Sequence, residues 1–220
     1  TEIYTLSLHD ALPIYRRFHA QPIACPECGP RLALLDSCGE PIENGPGENT
    51  IEKTCALLKE GQIVAIKGLG GFHLACRADR TEVIETLRRR KRRDGKPFAV
   101  MVKDLSVAEK IVFLSEEEKA LLSGFAKPIL LARKKENLPL SSSLAPGLNT
   151  LGIMLAYTPL HTLLFQEGGF DALVMTSANV SDEPMVHKNE ECVRTLRGIA
   201  DFLDRKSTRL TSHVSQSRMP

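Results

Sequence analysis

Apolar residues recur at two periods along the middle of the chain. Ile51, Cys55 and Leu58 fall on one face of a helix over residues 51–60, stopped by Gly61, and residues 62–67 form an apolar run of strand length. Val83, Ile84 and Leu87 mark a second helix, with Asp79 or Thr81 as its cap, and residues 97–103 read as a second strand. Ser115 with Glu118 makes a capping box for a helix ending before Gly124, and residues 128–132 follow as a strand. Residues 151–155 predict another strand; Thr158 as N-cap and Pro159 at the first helical position open a helix that Gly168 and Gly169 close. A strand over 172–175, a helix over 189–197 ending at Gly198 and a last strand over 199–203 complete the series. Strands alternating with helices from 49 to 203 predict one α/β domain without internal repeats.

Composition agrees with a packed core. The 220 residues are 42% hydrophobic and 25% charged, which excludes disorder over the whole length. The longest mostly apolar stretch, 153–165, is broken by polar residues and falls short of the ~20 residues of a membrane helix. The formal charge of +2 conceals a local excess, since six of the 29 basic residues stand side by side at 88–93 (RRRKRR). A basic cluster on an otherwise mildly acidic chain points to a local anion site.

Six cysteines, at 25, 28, 38, 55, 76 and 192, are too few and too unevenly spaced for a disulfide scaffold, and no signal peptide precedes them, so a cytoplasmic location is expected. Cys55, Cys76 and Cys192 read as buried small hydrophobes. Cys25 and Cys28, in CPECGP, have the spacing of a zinc knuckle, in which Pro and Gly shape a turn that aims two thiolates at one metal. No second Cys pair lies upstream; His19 and Cys38 are the available complements, and a half-site without metal is the competing reading. Residues 1–14 and 204–220 differ in composition from the middle and resemble translated sequencing-adapter peptides, so they are expected to be a non-native leader and tail. Residues 36–48, dense in Gly, Pro and Asn, read as a linker between the partial zinc finger (15–35) and the α/β domain (49–203).

Three segments at predicted strand ends carry candidate chemistry. The strand 62–67 runs into Gly68-Leu69-Gly70-Gly71-Phe72-His73, a turn that lets backbone N–H groups approach a ligand, or a tight turn only; it is neither a P-loop nor a G-x-G-x-x-G fingerprint. Lys91, Arg93 and Lys96 fall where the second helix turns into the next strand, and three cations there can converge on a triphosphate. Arg88, Arg89 and Arg90 also suit a helix C-terminus. Thr176, Ser177, Ala178 and Asn179 follow a strand at its carboxyl end, where α/β sheets place ligands, although the same tetrapeptide makes an ordinary Asx turn.

In this order the segments IVAIKGLGGFHLACRA (63–78), RRRKRRDGKPFAVMV (88–102) and VMTSANVSDEP (174–184) resemble the YrdC-like domain family. Residues 15–32 look like the second half of a zinc finger preceding that domain in HypF-type carbamoyltransferases, and LGIMLAYTPLHTLLF (151–165) resembles the same subfamily, with Ala156 where it usually has Pro. The resemblance implies a single twisted mixed sheet with flanking helices, preceded by a partial zinc-finger segment. It implies ATP-dependent adenylation of carbamate, derived from carbamoyl phosphate, on the way to the cyanide ligands of [NiFe]-hydrogenase, with HypE as carbamoyl acceptor of the whole enzyme. It further implies ATP and Mg²⁺ at Lys91, Arg93, Lys96, Thr176, Ser177 and Asn179, with Lys91, Arg93 and Ser177 catalytic. Lys67, Gly68, Gly70, Gly71 and His73 would form the acyl pocket, and Cys25 and Cys28 half of a Zn²⁺ site. Two alternatives stay open: a threonylcarbamoyl-adenylate synthase for tRNA modification, and a module binding double-stranded RNA through residues 88–93. Eight Phe, three Tyr and no Trp argue against a stacking platform for single strands.

Overall fold

The computed structural model describes residues 31–43, 49–136, 138–179 and 184–207. Cys25, Cys28 and His19 lie outside the described residues, as do the leader 1–14 and the tail beyond 207. Residues 32–205 form one compact unit. Its centre is an eight-stranded mixed sheet, numbered here in chain order: β1 (Arg31–Asp36), β2 (Val64–Lys67), β3 (Phe72–Arg77), β4 (Val100–Val102), β5 (Leu130–Arg133), β6 (Thr150–Leu155), β7 (Ala172–Ser177) and β8 (Phe202–Ser207). Across the sheet they stand in the order β1-β8-β2-β3-β7-β4-β6-β5.

β2 and β3 pair antiparallel with Lys67 opposite Phe72. β3 pairs antiparallel with β7, His73 facing Ser177, and β7 with β4, Val174 facing Val100. β4 and β6 run parallel, as do β2 and β8. The carboxyl ends of β2 and β7 and the amino ends of β3 and β4 therefore share one edge of the sheet. That edge gathers the three segments singled out by sequence.

Among the described residues six α-helices cover the sheet: α1 (Thr50–Lys59), α2 (Thr81–Lys91), α3 (Leu105–Ile111), α4 (Glu116–Ser123), α5 (Pro159–Gly168) and α6 (Asn189–Leu196). One core layer packs α2 residues Val83, Ile84 and Leu87 with Leu74, Phe98, Val100 and Val174. The other packs α1 residues Cys55 and Leu58 and α5 residues Leu160, Leu164 and Phe165 on Ile66, Ala75, Met101 and Met175. Cys55, Cys76 and Cys192 are buried, as expected.

Local chemistry explains the helix starts. Asn49 with Glu52 caps α1 and Ser115 with Glu118 caps α4, each as a reciprocal box. On α5 the Thr158 hydroxyl accepts from the His161 N–H at 3.1 Å. The expected cap of α2 is corrected: Arg80 is the N-cap residue, without a side-chain bond. The Asp79 carboxylate instead pairs with Arg77, and Thr81 Oγ1 bonds Ser141 Oγ at 2.8 Å. The last strand lies further along than expected, since Ile199 and Ala200 sit in a turn and β8 begins at Phe202. β1, β3 and α3 were not expected from the pattern. Among the described residues no helix is long and apolar enough to cross a membrane.

Candidate active site

At the sheet edge the chain leaves β2 through a turn closed by the Gly68 N–H on the Gly71 carbonyl at 2.8 Å. A side chain is excluded at both ends of this turn. A Cβ on Gly68 would come within 2.7 Å of the His73 ring, and one on Gly71 within 2.7 Å of the Val186 carbonyl oxygen. The strip after β7 folds back against the turn: the Phe72 N–H donates to Val186 O at 2.8 Å, and the N–H groups of Ala178 and Val186 donate to Phe72 O and Ala178 O at 2.9 and 3.1 Å.

Lys91 ends α2 with its side chain fully buried. Its ammonium donates to Ser177 O at 2.6 Å, Asn179 O at 2.7 Å and Asn179 Oδ1 at 2.9 Å. The Ser177 hydroxyl donates to the same Oδ1 at 2.8 Å. Burial, reinforced by the Arg93 charge, pushes the Lys91 pKa down to about 8. Lys91, Ser177 and Asn179 thus form one bonded cluster, with the ammonium directed at protein oxygens.

The other cations of the run divide by contact. Arg88 reaches the carbonyls of Arg93, Lys96 and Ser143. Arg90 holds Asp201 at 2.7 Å and the Ile199 carbonyl. Arg93 lies over the Phe98 ring and donates to the Pro97 carbonyl at 2.8 Å. Lys96 is exposed. Much of the run's charge is therefore engaged in joining α2 to the segments beside it.

A cleft of about 540 Å³ opens on the sheet face that α1 and α5 leave partly bare. Arg93, Thr176, Ser177 and His73 line it, together with Lys127 and Tyr157, over an apolar floor that includes Met154 and Met175. Of the expected acyl-pocket residues only His73 lines this cleft. Lys67 turns the other way, onto the His187 carbonyl and the Phe72 ring, and Gly68, Gly70 and Gly71 shape the adjacent turn. Lys96 does not line it. A second cleft, of about 410 Å³, lies at the opposite edge between Arg77, Lys110 and Ala172 and holds none of the expected residues.

Sequence reasoning gave no role to Lys127, Tyr157 or His161. Tyr157 Oη and His73 Nε2 are 2.9 Å apart, and the His161 ring meets Tyr157 edge-on with centroids 4.6 Å apart. Burial lowers the His73 pKa and raises that of Tyr157. Burial, then the neighbouring His73, pushes His161 down to about 4. The signal available was the block 151–165, which carries Tyr157 and His161 but ties them to His73 only through the fold.

A mixed sheet with a Gly-rich turn, a buried lysine and a Ser-x-Asn strip at one edge defines a YrdC-like domain. The model described as Telomere recombination, for Sua5, YciO and YrdC proteins, matches residues 56–216, and one described as HypF finger matches residues 11–35. The chain belongs to the Sua5–YciO–YrdC family. Carbamoyltransferase HypF of Rhodobacter capsulatus is 49% identical over 189 residues, 86% of this chain and 24% of that protein. The crystal structure of full-length HypF in its phosphate- and nucleotide-bound form superposes with a TM-score of 0.80 at 45% identity, over 90% of this chain and 25% of that one. Threonylcarbamoyl-AMP synthase of Bacillus subtilis is 29% identical over 177 residues, 78% of this chain and 49% of that protein. The chain spans about a quarter of the length of the HypF proteins it matches. The resemblance to HypF-type carbamoyltransferases, with a YrdC-like domain after a finger, agrees with these matches.

Proposed function

We propose that this chain is the carbamoyl-adenylate-forming part of a carbamoyltransferase that supplies the cyanide ligands of [NiFe]-hydrogenase in the cytoplasm. The observation that carries the reading is the joining of Lys91, Ser177 and Asn179 in one bonded cluster beside a cleft that also receives Arg93. The identity to HypF proteins, one of them nucleotide-bound, supports ATP as the nucleotide.

In the reaction a carbamate oxygen bonds to the α-phosphorus of ATP, the α–β phosphoanhydride bond breaks, and pyrophosphate leaves with the electron pair. Negative charge grows on the transferring phosphoryl oxygens and on the leaving group, so fixed donors act there without reorganising. Arg93 would hold the phosphates and Lys96, exposed nearby, would assist. Thr176 and the Ser177 hydroxyl would bind the α-phosphate or its Mg²⁺, a cation that takes oxygen ligands. Lys91 would keep Ser177 and Asn179 in register. His73 would face the acyl end, and Gly68, Gly70 and Gly71 would shape the turn beside it.

Cys25 and Cys28, within the finger match, would supply two thiolates to Zn²⁺ in the longer protein. The carbamoyl group would pass to a HypE acceptor through parts of the enzyme that this chain does not span. Arg88 and Arg90 are engaged on carbonyls and Asp201 and Lys91 is buried, which withdraws half of the run 88–93 from double-stranded RNA. Exchange of labelled pyrophosphate into ATP tests the proposal: it should depend on carbamate when the remainder of a HypF protein is supplied. Absence of exchange there overturns it, and exchange driven by threonine and bicarbonate transfers the chain to the threonylcarbamoyl-adenylate reading.

A further inference from the structure

We propose that His73 and Tyr157 form the acyl-holding wall of the cleft, with His161 packed behind them, so that uncharged polar rings bind carbamate without giving it a proton. The inference rests on the adenylation reading above. Carbamate survives only while its nitrogen stays unprotonated. Once a proton is added there, the C–N bond breaks, nitrogen keeps the bonding pair, and H₂N–COO⁻ plus H⁺ becomes NH₃ plus CO₂. Its holder must therefore supply hydrogen bonds from groups with no readily lost proton.

The three rings meet this requirement by geometry. His73 and Tyr157 line the cleft, joined through Oη and Nε2 at 2.9 Å. That bond engages one imidazole nitrogen and leaves the other, with the remaining phenolic lone pair, as contacts for a small planar acyl group. His161 is fully buried behind them on the first turn of α5, where its backbone is fixed by Thr158. Both of its ring nitrogens are buried without a hydrogen-bond partner. Its ring meets Tyr157 at 4.6 Å and 74° and His73 at 6.4 Å and 76°. His161 is thus a positioning residue that holds Tyr157 edge-on, and Gly68 leaves the space that the His73 ring occupies.

The surroundings keep the rings neutral. Arg93, from the α2–β4 connection, and Lys127, from the α4–β5 connection, are the cations lining the cleft, and among the described residues no Asp or Glu lines it. β7 contributes Thr176 and Ser177. α1, packed on α5, brings Cys55, whose thiol burial pushes up to about 11 and which donates to Leu164 O. On β2 the Lys67 ammonium sits over the Phe72 ring. Burial disfavours the charged form of both imidazoles, and a positive charge on one would face the other, so each ring resists protonation.

The test supplies the chain with the remainder of a HypF protein and measures pyrophosphate exchange and CO₂ release from ammonium carbamate at pH 6.5 and 8.5. Tyr157→Phe should raise the KM for carbamate about tenfold, as expected for one lost hydrogen bond, with the KM for ATP changed by less than about twofold. CO₂ released per pyrophosphate should rise at pH 6.5 more than at pH 8.5. His161→Ala should reproduce both effects, and His161→Phe, which keeps a ring against Tyr157, should restore them. Wild-type exchange with unchanged carbamate KM and CO₂ ratio in Tyr157→Phe overturns the wall while leaving adenylation intact. Absence of carbamate-dependent exchange in the wild type overturns the adenylation reading itself. Histidine ring-proton titration in the 220-residue chain gives an independent readout: both midpoints should lie below the ordinary imidazole value, and a midpoint at or above that value for either ring overturns the proposal.

Discussion

Three protein oxygens, Ser177 O, Asn179 O and Asn179 Oδ1, surround the buried Lys91 ammonium at 2.6, 2.7 and 2.9 Å. An ammonium has three N–H groups, so this cluster matches its donors one for one. The acceptors belong to a strip 86 and 88 residues away, which makes Lys91 the clamp that fixes the Ser-x-Asn turn against α2. Removing it takes one donor from each of two backbone carbonyls and one amide oxygen in a part-buried site, where Ser177 O keeps the Asn179 N–H and Asn179 Oδ1 keeps the Ser177 hydroxyl. Lys91→Met should therefore lower unfolding free energy by about 2–4 kcal/mol in urea titration, in the range for breaking buried charged hydrogen bonds. Arg93 rests on the Phe98 ring and the Pro97 carbonyl at the cleft wall. Arg93→Met keeps most of the apolar contact, so stability should fall by no more than about 1 kcal/mol. The KM for ATP should rise by about tenfold or more, because a charge-assisted phosphate contact is lost. Comparable stability losses in the two variants would show that the two cations share one structural role.

At the scale of elements, the β2–β3 turn depends on close backbone approach. Gly71 has φ +156°, and a Cβ there would meet Val186 O at 2.7 Å and Met185 at 2.9 Å, while one on Gly70 would meet nothing nearer than 3.8 Å. The bond from Phe72 N–H to Val186 O depends on that approach. Gly71→Ala should destabilise by about 1–3 kcal/mol, and Gly70→Ala should stay within about 0.5 kcal/mol, by thermal or urea unfolding. This turn was legible from its glycines, as were the starts of α4 and α5, because Ser115 with Glu118 and Thr158 with Pro159 act within one helical turn. β3 was not: in FHLACR both faces are largely buried, so no polar alternation marks it. α3, at seven residues, is too short to display a period. The site was legible in the same measure. Its residues stand at element ends where sequence placed them, whereas the Lys91 and Tyr157 bonds span 86 to 88 and 84 residues and exist only through the sheet.

The whole molecule is closed by its latest described strand. β8 pairs in parallel with β2, setting Asp204 opposite Ile66, and the Asp204 side chain is fully buried with neither oxygen hydrogen-bonded. Burial pushes its pKa up to about 7 from 3.8. The folded state then binds a proton that the unfolded chain has released, so this group makes stability fall as pH rises from about 4 to about 7. His161 acts in the opposite sense. Its folded pKa of about 4 lies below the ordinary 6.5, so the unfolded chain binds the extra proton and stability rises across about pH 4 to 6.5. Between pH 4.5 and 6.5 the two slopes oppose each other, and the wild-type chain should show a shallow dependence. Asp204→Asn removes one of them without changing side-chain size. Its unfolding free energy should match the wild type near pH 4.5 and gain on it towards neutrality by up to about 1.4 kcal/mol per pH unit, the limit for one proton. By pH 8 the variant should be the more stable protein. Urea unfolding of both chains at half-unit steps from pH 4.5 to 8 measures this difference, and parallel curves would show that Asp204 folds as a carboxylate.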